Sequence, residues 1–403
     1  GCVSRGTTSS SPRARRRALP RFKDVERMCR TLKPIAPVYA LYPAKFRAAA
    51  QAFLSGFPGT TLYAVKSNPA PEVLDQVYAA GIRHFDTASL PEVELISKRY
   101  PGAICHFMTP IRMPGAAGTA YRKHNVRDYV IDDAAELERI IAETGAGKRV
   151  DPKSITVFVR LSTPVEGALL ELSSKFGTDI GTGAALLKSV AEAGLNPAIT
   201  FHVGSLCLRP QAFGEAMALC QQAITASGVR ITALDVGGGF PAPYPGQNAP
   251  DLSLYFDAVR KARTARKLPR DAKLYCEPGR ALVAEGVSVV TLVVRRRRRF
   301  LYINDGIYGS LDEMTLPNWT VDYPKRVIAL TPGGTPFEKQ GPKSPFKVFG
   351  PTCDTLDVLP RAMLLPEAVD TGDWIEWGMI GAYSCALRTN FNGFFPDTFV
   401  EIG

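Results

Sequence analysis

Residues 231–280 read ITALDVGGGFPAPYPGQNAPDLSLYFDAVRKARTARKLPRDAKLYCEPGR. The stretch opens on a β-rich run, Ile231–Val236, that stops at three glycines. A proline-rich loop leads to a segment with apolar residues at helical spacing, Leu252–Lys267. A second β-rich run, Lys273–Glu277, then stops at Pro278-Gly279-Arg280. Strand, loop, helix and strand without a hairpin-length turn is the pattern of parallel strands joined by crossover helices.

The same unit recurs upstream. β-rich runs stand at Thr61–Lys66, Ile82–Asp86, Ala103–Phe107, Asp128–Asp132, Ile155–Leu161 and Ile199–Val203. Helical segments follow most of them, at Pro71–Ala80, Pro91–Arg99, Ala134–Glu143, Gly183–Ala193 and Pro210–Ala226, several with proline in the first turn, where its missing N–H costs nothing. Eight strands alternating with helices over roughly 220 residues predict an α/β fold, a (β/α)8 barrel. The rival, a doubly wound open sheet, lacks the Gly-x-Gly-x-x-Gly turn after its first strand. Beyond Gly279 the texture changes to short strand-like runs between turn residues, at Leu282–Val294, Phe300–Asn304, Val321–Leu330, Phe346–Phe349, Asp373–Trp377 and Phe399–Ile402. The expected division is a basic tail without structure at 1–20, an N-terminal segment at 21–36 that packs on the β domain, a barrel at 37–280 and an all-β domain at 281–403.

With 45% apolar and 22% charged residues the chain is an ordinary globular one, and no apolar run approaches the roughly 20 residues of a membrane span. The formal charge of +11 suggests nucleic acid until it is located: five arginines in residues 1–20 and five more at Arg295–Arg299 supply +10 of it. A solvated tail and a polar hairpin tip account for both, and no nucleic-acid partner is expected. Eight scattered cysteines without a Cys-x-x-Cys pair and four histidines without ligand spacing predict no metal and fit a reducing compartment, so a cytoplasmic protein. The arginine- and serine-rich start also has the composition of a transit peptide, and Gly1-Cys2 that of an acylated terminus.

The active site of such a barrel lies at the C-terminal strand ends. These carry Lys66, Asp86, Asp132, Arg160, His202, Gly237-Gly238-Gly239 and Glu277. Glycine N–H groups and Arg280 form a phosphate cradle. A phosphate cradle, a lysine, a flat histidine and a carboxylate are the parts that pyridoxal phosphate needs. Lys66 forms the Schiff base once neutral, Glu277 pairs with the pyridine nitrogen, and His202 stacks on the ring.

At these residues the chain resembles the pyridoxal-phosphate decarboxylases with an alanine-racemase-like barrel, and among them the ornithine decarboxylases and their bacterial ornithine/lysine members. The resemblance covers residues 25–403 and rests on Tyr63-Ala-Val-Lys-Ser-Asn68, Phe85-Asp-Thr-Ala-Ser89, Phe201-His-Val-Gly-Ser205, Leu234-Asp-Val-Gly-Gly-Gly-Phe-Pro241, Glu277-Pro-Gly-Arg280, Asn304-Asp-Gly-Ile-Tyr-Gly-Ser310, Gly350-Pro-Thr-Cys-Asp354, Gly381-Ala-Tyr383 and Phe391-Asn-Gly-Phe394. It implies that Lys66 carries the cofactor, that Asp86 and Arg160 line the pocket, and that His202 stacks. It implies further that Ser205, Gly237, Gly238, Gly239, Gly279, Arg280 and Tyr383 hold the phosphate and that Glu277 faces the pyridinium. Cys353 matches the acid that protonates the α-carbon after carbon dioxide leaves. Asp354 matches the carboxylate that receives the distal ammonium, with Tyr308, Phe391 and Asp322 as further substrate contacts. In the family Cys353 and Asp354 act in the other subunit of a head-to-tail homodimer, so the implied reaction is decarboxylation of L-ornithine to putrescine at shared sites.

Two features depart from the pattern. Eukaryotic members carry a Tyr-Asp pair after the Gly-Ser motif; here Ser310 is followed by Leu-Asp-Glu-Met-Thr-Leu-Pro-Asn-Trp, with Asp312, Glu313 or Asp322 as substitutes. The Arg295–Arg299 run has no counterpart. Rival readings are a lysine or related diamino-acid decarboxylase, a diaminopimelate decarboxylase and a non-catalytic regulatory homologue. The diaminopimelate enzymes have Cys-Glu-Ser where this chain has Cys353-Asp354-Thr355, and an arginine within the segment matching 305–317, which has none.

Overall fold

The computed structural model describes residues 18–403 except 171–174 and 267, so the expectation for most of the 1–20 tail lies outside the described residues. Eight parallel strands close a barrel: β1 Thr60–Ala64, β2 His84–Thr87, β3 Ile104–Phe107, β4 Asp128–Ile131, β5 Thr156–Arg160, β6 Asn196–Thr200, β7 Ala233–Asp235 and β8 Lys273–Cys276. The eight expected runs are these strands in order, and β8 returns to β1 through Tyr275 opposite Thr60. Alternate residues point inward, so Leu62, Met108, Val130, Phe158, Ala198, Ala233 and Tyr275 fill the barrel core. Their outward neighbours Tyr63, Phe85, Tyr129, Val157 and Leu234 are buried under the surrounding helices. Burial on both faces is why these strands read as nearly continuous apolar runs.

Four of the barrel helices start where a side chain satisfies the first free N–H groups. Ser89, Asp133, Asp179 and Asp251 accept from the backbone of Glu92, Ala135, Thr182 and Ser253. A short strand after β5, Ala168–Leu170, pairs antiparallel with Ser205–Cys207 after β6 and forms a ribbon beside the phosphate residues.

A ten-stranded sheet makes the second unit. Its spine runs Arg21–Phe22, Thr398–Ile402, Val38–Leu41, Val287–Arg297, Phe300–Ile303, Lys343–Phe349 and Met363–Pro366. Val38–Leu41, assigned above to the barrel, belongs here: it pairs with Val287–Val290 and with Thr398–Glu401. A four-residue apolar run fits either sheet, and only the partner strands decide. The expected strand from Leu282 begins at Val287, because Arg280–Val283 form one helical turn at the barrel mouth. Val25, Met28, Val38, Val290, Trp374 and Val400 build a separate core under the N-terminal helix Val25–Leu32. Among the described residues no helix is long and apolar enough to cross a membrane, and no cluster of His, Cys, Asp and Glu could hold a metal.

Candidate active site

Lys66 stands in a single 3-10 turn, Val65–Ser67, directly after β1. The turn is fixed from three sides: Tyr63 Oη donates to the Asn68 carbonyl at 2.9 Å, Asn68 Nδ2 to the Gly381 carbonyl at 2.8 Å, and the Tyr383 N–H to the Ser67 carbonyl at 2.8 Å. The Lys66 side chain is 44% exposed toward the mouth, and its Nζ donates to Asp86 Oδ2 at 2.9 Å. Burial works to lower the pKa of this ammonium, but the carboxylate of Asp86, with Tyr383 and Glu277 behind it, outweighs burial and holds it above the ordinary lysine value. Lys66 is therefore an ion-paired ammonium and not the neutral amine that Schiff-base formation needs. The second Asp86 oxygen is buried without a hydrogen-bond partner.

Glu277 follows β8 and Asp235 ends β7, both buried. Asp235 is satisfied by Thr200 Oγ1 at 3.0 Å and by the Gly237 N–H at 2.9 Å. Burial, then the charges of Asp235 and Asp86, push the Glu277 carboxyl well above the usual range. Arg160 ends β5 with its guanidinium over the Phe176 ring. Burial lowers its pKa, against the pull of Glu277, Asp132, Asp235 and Asp86.

His202 accepts from the Gly204 N–H through Nδ1 at 3.0 Å, which leaves the proton on Nε2. Burial, then Arg160 and Lys66, hold the ring well below its ordinary pKa. It is a neutral flat surface beside Gly238, where an added Cβ would lie 3.2 Å from Nε2 and 2.7 Å from the Glu277 carbonyl oxygen. Gly237 and Gly239 have φ of 67° and 95°, and side chains there would strike the carbonyls of Phe201 and Gly204. Only glycine fits this loop.

Arg280 is buried beside it. Its Nη1 donates to Tyr244 Oη at 2.9 Å and to Glu313 Oε2 at 3.1 Å, and its Nη2 to Glu313 Oε1 and, at 3.5 Å, to Ser205 Oγ. Tyr244, Trp319 and Tyr383 rings surround the guanidinium at 5.1–5.8 Å. Arg280 Nε is buried without a partner. Sequence reasoning named Glu313 as a substitute substrate grip and missed Tyr244, Trp319 and Tyr323. The structure places the segment after Ser310 behind Arg280, with Glu313 paired to its guanidinium. Residues that lie 33 to 43 positions from Arg280 carry no spacing signal for such a contact.

Cys353, Asp354, Tyr308 and Phe391 gather elsewhere. Tyr308 Oη donates to Asp354, its ring packs on Phe391 at 4.8 Å, and the Cys353 N–H donates to Asn392 Oδ1 at 3.0 Å. The Tyr308 bond and the Leu356 N–H hold the Asp354 carboxyl below its usual pKa. Cys353 is exposed. Among the described residues no hydrogen bond or ion pair joins this cluster to Lys66 and the cradle of the same chain. Asp322 joins neither group: it is 59% exposed and paired with Lys325 at 2.5 Å.

The barrel mouth fits pyridoxal phosphate on its own geometry. It offers an amine, a neutral ring surface and a buried carboxyl. Beside them lie a glycine loop without room for a Cβ and a guanidinium with an unused buried N–H. Residues 43–284 match the family model described as pyridoxal-dependent decarboxylase, pyridoxal binding domain. The lysine/ornithine decarboxylase of Selenomonas ruminantium is 32% identical over 344 residues, which cover 83% of this chain and 81% of that one. A crystal structure of SrLDC in complex with PLP and cadaverine superposes with a TM-score of 0.78 at 28% identity, over 94% of this chain and 92% of that one. The lysine/ornithine decarboxylase of Vibrio vulnificus complexed with cadaverine gives 0.79 at 26% identity, over 94% and 98%.

Proposed function

The chain belongs to the pyridoxal-dependent decarboxylases and acts on an amino acid with pyridoxal phosphate as cofactor; from that premise we propose that it converts L-ornithine to putrescine in polyamine synthesis, as a cytoplasmic homodimer whose two sites each draw on both chains. The observation that carries this reading is the half-buried Tyr308–Asp354 pair beside the exposed Cys353. A carboxylate kept ionised by a tyrosine is a receptor for a distal ammonium. No arginine in 305–317 offers to receive a second carboxylate, which argues against diaminopimelate.

Bound at the mouth, pyridoxal phosphate supplies the electron-accepting ring that lets an α-carboxylate leave. The residues have separable tasks. Lys66 is the attachment point, and Asp86 is the acceptor nearest the proton that Nζ must lose first. Glu277 shares its proton with a ring nitrogen, with Asp235 pressing from behind. His202 excludes water from one ring face. Ser205, Arg280, Tyr383 and the loop Gly237, Gly238 and Gly239 bind phosphate, and at Gly279 an added Cβ would lie 2.9 Å from the Ser67 side chain, which leaves no room for a larger residue. Cys353 delivers a proton from Sγ to the substrate α-carbon in the partner's site, as general acid.

The dimer rests on the surroundings of Cys353. Phe391, Phe394 and Phe395 are each more than 40% exposed and Leu356 is 70% exposed, an apolar rim suited to cover by a second copy. The cytoplasmic assignment goes with the seven free cysteines among the described residues, six of them buried.

Lysine is the second reading, favoured by the lack of a Tyr-Asp pair after Ser310 to set chain length. Carbon dioxide release from ornithine, lysine, arginine and diaminopimelate, measured side by side, decides. Ornithine is expected first, lysine second and the others at background; lysine ahead of ornithine would replace the first reading with the second.

A further inference from the structure

Arg280 and Glu313 form an ion pair with both side chains at most 4% exposed. The two carboxylate oxygens grip the Nη1 and Nη2 end of the guanidinium. Tyr323 Oη donates to Glu313 Oε2 at 2.9 Å, and Trp319 Nε1 donates to Tyr323 Oη at 3.2 Å, so the carboxylate is itself held. The opposite edge of the guanidinium, Nε and Nη2, is the one left over. Nη2 reaches Ser205 at 3.5 Å, and Nε has no partner. One edge is thus neutralised from within the chain while the other stays free on the side of the phosphate cradle.

We infer that Glu313 is a resident counter-anion for the phosphate site: it neutralises Arg280 while the cofactor is absent, and it does so at the expense of cofactor affinity. The inference rests on the reading of Arg280 as a phosphate ligand and deepens it. A buried guanidinium without a counter-charge is strongly destabilising. Glu313 removes that penalty from the empty site, so the chain keeps its arginine in place without waiting for the cofactor. In the loaded site the same carboxylate lies one guanidinium away from a phosphate of like charge, and repulsion weakens the binding. Orientation does not depend on Glu313 alone. Tyr244 Oη holds Nη1, and the rings of Tyr244, Trp319 and Tyr383 enclose the guanidinium. Removing the charge therefore acts mainly on electrostatics, which sets the sign. A residue that stabilises the empty form more than the loaded one lowers affinity by the same difference.

The test compares wild type with Glu313→Gln, each freed of cofactor by hydroxylamine dialysis. Melting temperatures are recorded alone, with pyridoxal phosphate, with inorganic phosphate and with pyridoxal, which lacks the phosphate. Glu313→Gln is expected to melt about 5 °C or more below wild type when empty. It should recover most of that loss with pyridoxal phosphate and bind it about tenfold more tightly, with unchanged affinity for pyridoxal. Inorganic phosphate should stabilise the variant more than wild type. Glu313→Asp, which keeps the charge, should behave like wild type. An equal fall in the empty and loaded forms would overturn the inference, as would weaker phosphate-dependent binding or a variant insoluble with and without cofactor. A variant that folds only in the presence of cofactor supports it. If pyridoxal phosphate and inorganic phosphate fail to stabilise wild type, the phosphate assignment of Arg280 itself falls, a result distinct from failure of the inference.

Discussion

Lys66 attacks an aldehyde only as a free amine, yet Asp86 holds it as an ammonium at 2.9 Å. This conflict predicts a pH profile. In Asp86→Asn the largest influence raising the lysine pKa is gone while burial remains, so the amine is freed at lower pH. Cofactor capture, followed by the visible absorption of the bound form, should reach half its maximum about one pH unit below wild type; an unshifted profile would mean that Asp86 does not govern the proton. Lys66→Ala should abolish that absorption. Cys353→Ala should keep it while kcat falls about 10²- to 10⁴-fold, the usual worth of a general acid, and a loss of only a few-fold would remove Cys353 from the reaction. At this scale legibility followed chemistry. Lysine, arginine, histidine and glutamate at successive strand ends stand out because such ends are ordinarily turn formers. The Glu313 partner of Arg280 did not stand out, because an acid in a polar loop looks the same whether it faces solvent or a buried guanidinium across two domains. The roles expected of Cys353 and Asp354 rest on a motif alone, since a Cys-Asp pair has no physical signature of its own.

Among the elements, the barrel strands were readable because they are buried on both faces and alternate with helices, four of them capped by a Ser or Asp side chain. Their interior was less so. His84 on β2, His106 on β3 and Asp128 on β4 form a chain across the barrel: His84 Nδ1 lies 2.9 Å from His106 Nε2, and His106 Nδ1 2.5 Å from Asp128. Burial, then His106, depress the His84 pKa to about 4, with Asp128 opposing and Lys273 adding to the shift. A base that is neutral in the fold and charged in the unfolded chain takes up a proton on unfolding. Stability therefore falls as pH drops from about 6.5 toward 4 and is unaffected by this group above that range. Thermal melts between pH 7 and pH 4.5 should show a shallower acid loss in His84→Gln than in wild type; parallel curves would discount the histidine chain. The run Arg295–Arg299 also finds its account at this level. It is the end of the strand Val287–Arg297 and the two-residue turn to Phe300–Ile303. Arg298 takes the left-handed conformation of that turn, with φ of 55°. Arg295, Arg296 and Arg297 lie over the rings of Tyr302, Phe346 and Phe300, and Arg296 also donates to the Glu367 carbonyl at 2.7 Å. Arg299 pairs with Glu367. Long cationic side chains covering aromatic rings at a sheet edge suit a hairpin tip.

Seen as one molecule, the chain has its cofactor residues at the barrel mouth and its proposed acid and ammonium receptor on a separate, exposed loop. The chemistry requires them within reach of one substrate. A monomer with the two groups apart has an incomplete site, whereas two copies related by a twofold axis complete both sites at once. The arrangement makes a sharp prediction, because Lys66→Ala and Cys353→Ala then damage opposite halves of each site. Either variant alone should be inactive. Mixed in equal amounts and allowed to exchange subunits, half of the dimers carry one variant of each kind. In such a dimer one mouth has lost both groups and the other has kept both. Activity should therefore return to about a quarter of wild type if exchange is complete and random. The same mixture of Lys66→Ala with Glu277→Ala, two variants that damage the same half, should stay inactive. Gel filtration run alongside should show a dimer, and apolar exposure at Phe391, Phe394 and Phe395 should decrease with association. If the first mixture remains dead under conditions where exchange is demonstrated by tagged subunits, Cys353 serves its own chain or none, and the loop that carries it would have to move to reach Lys66.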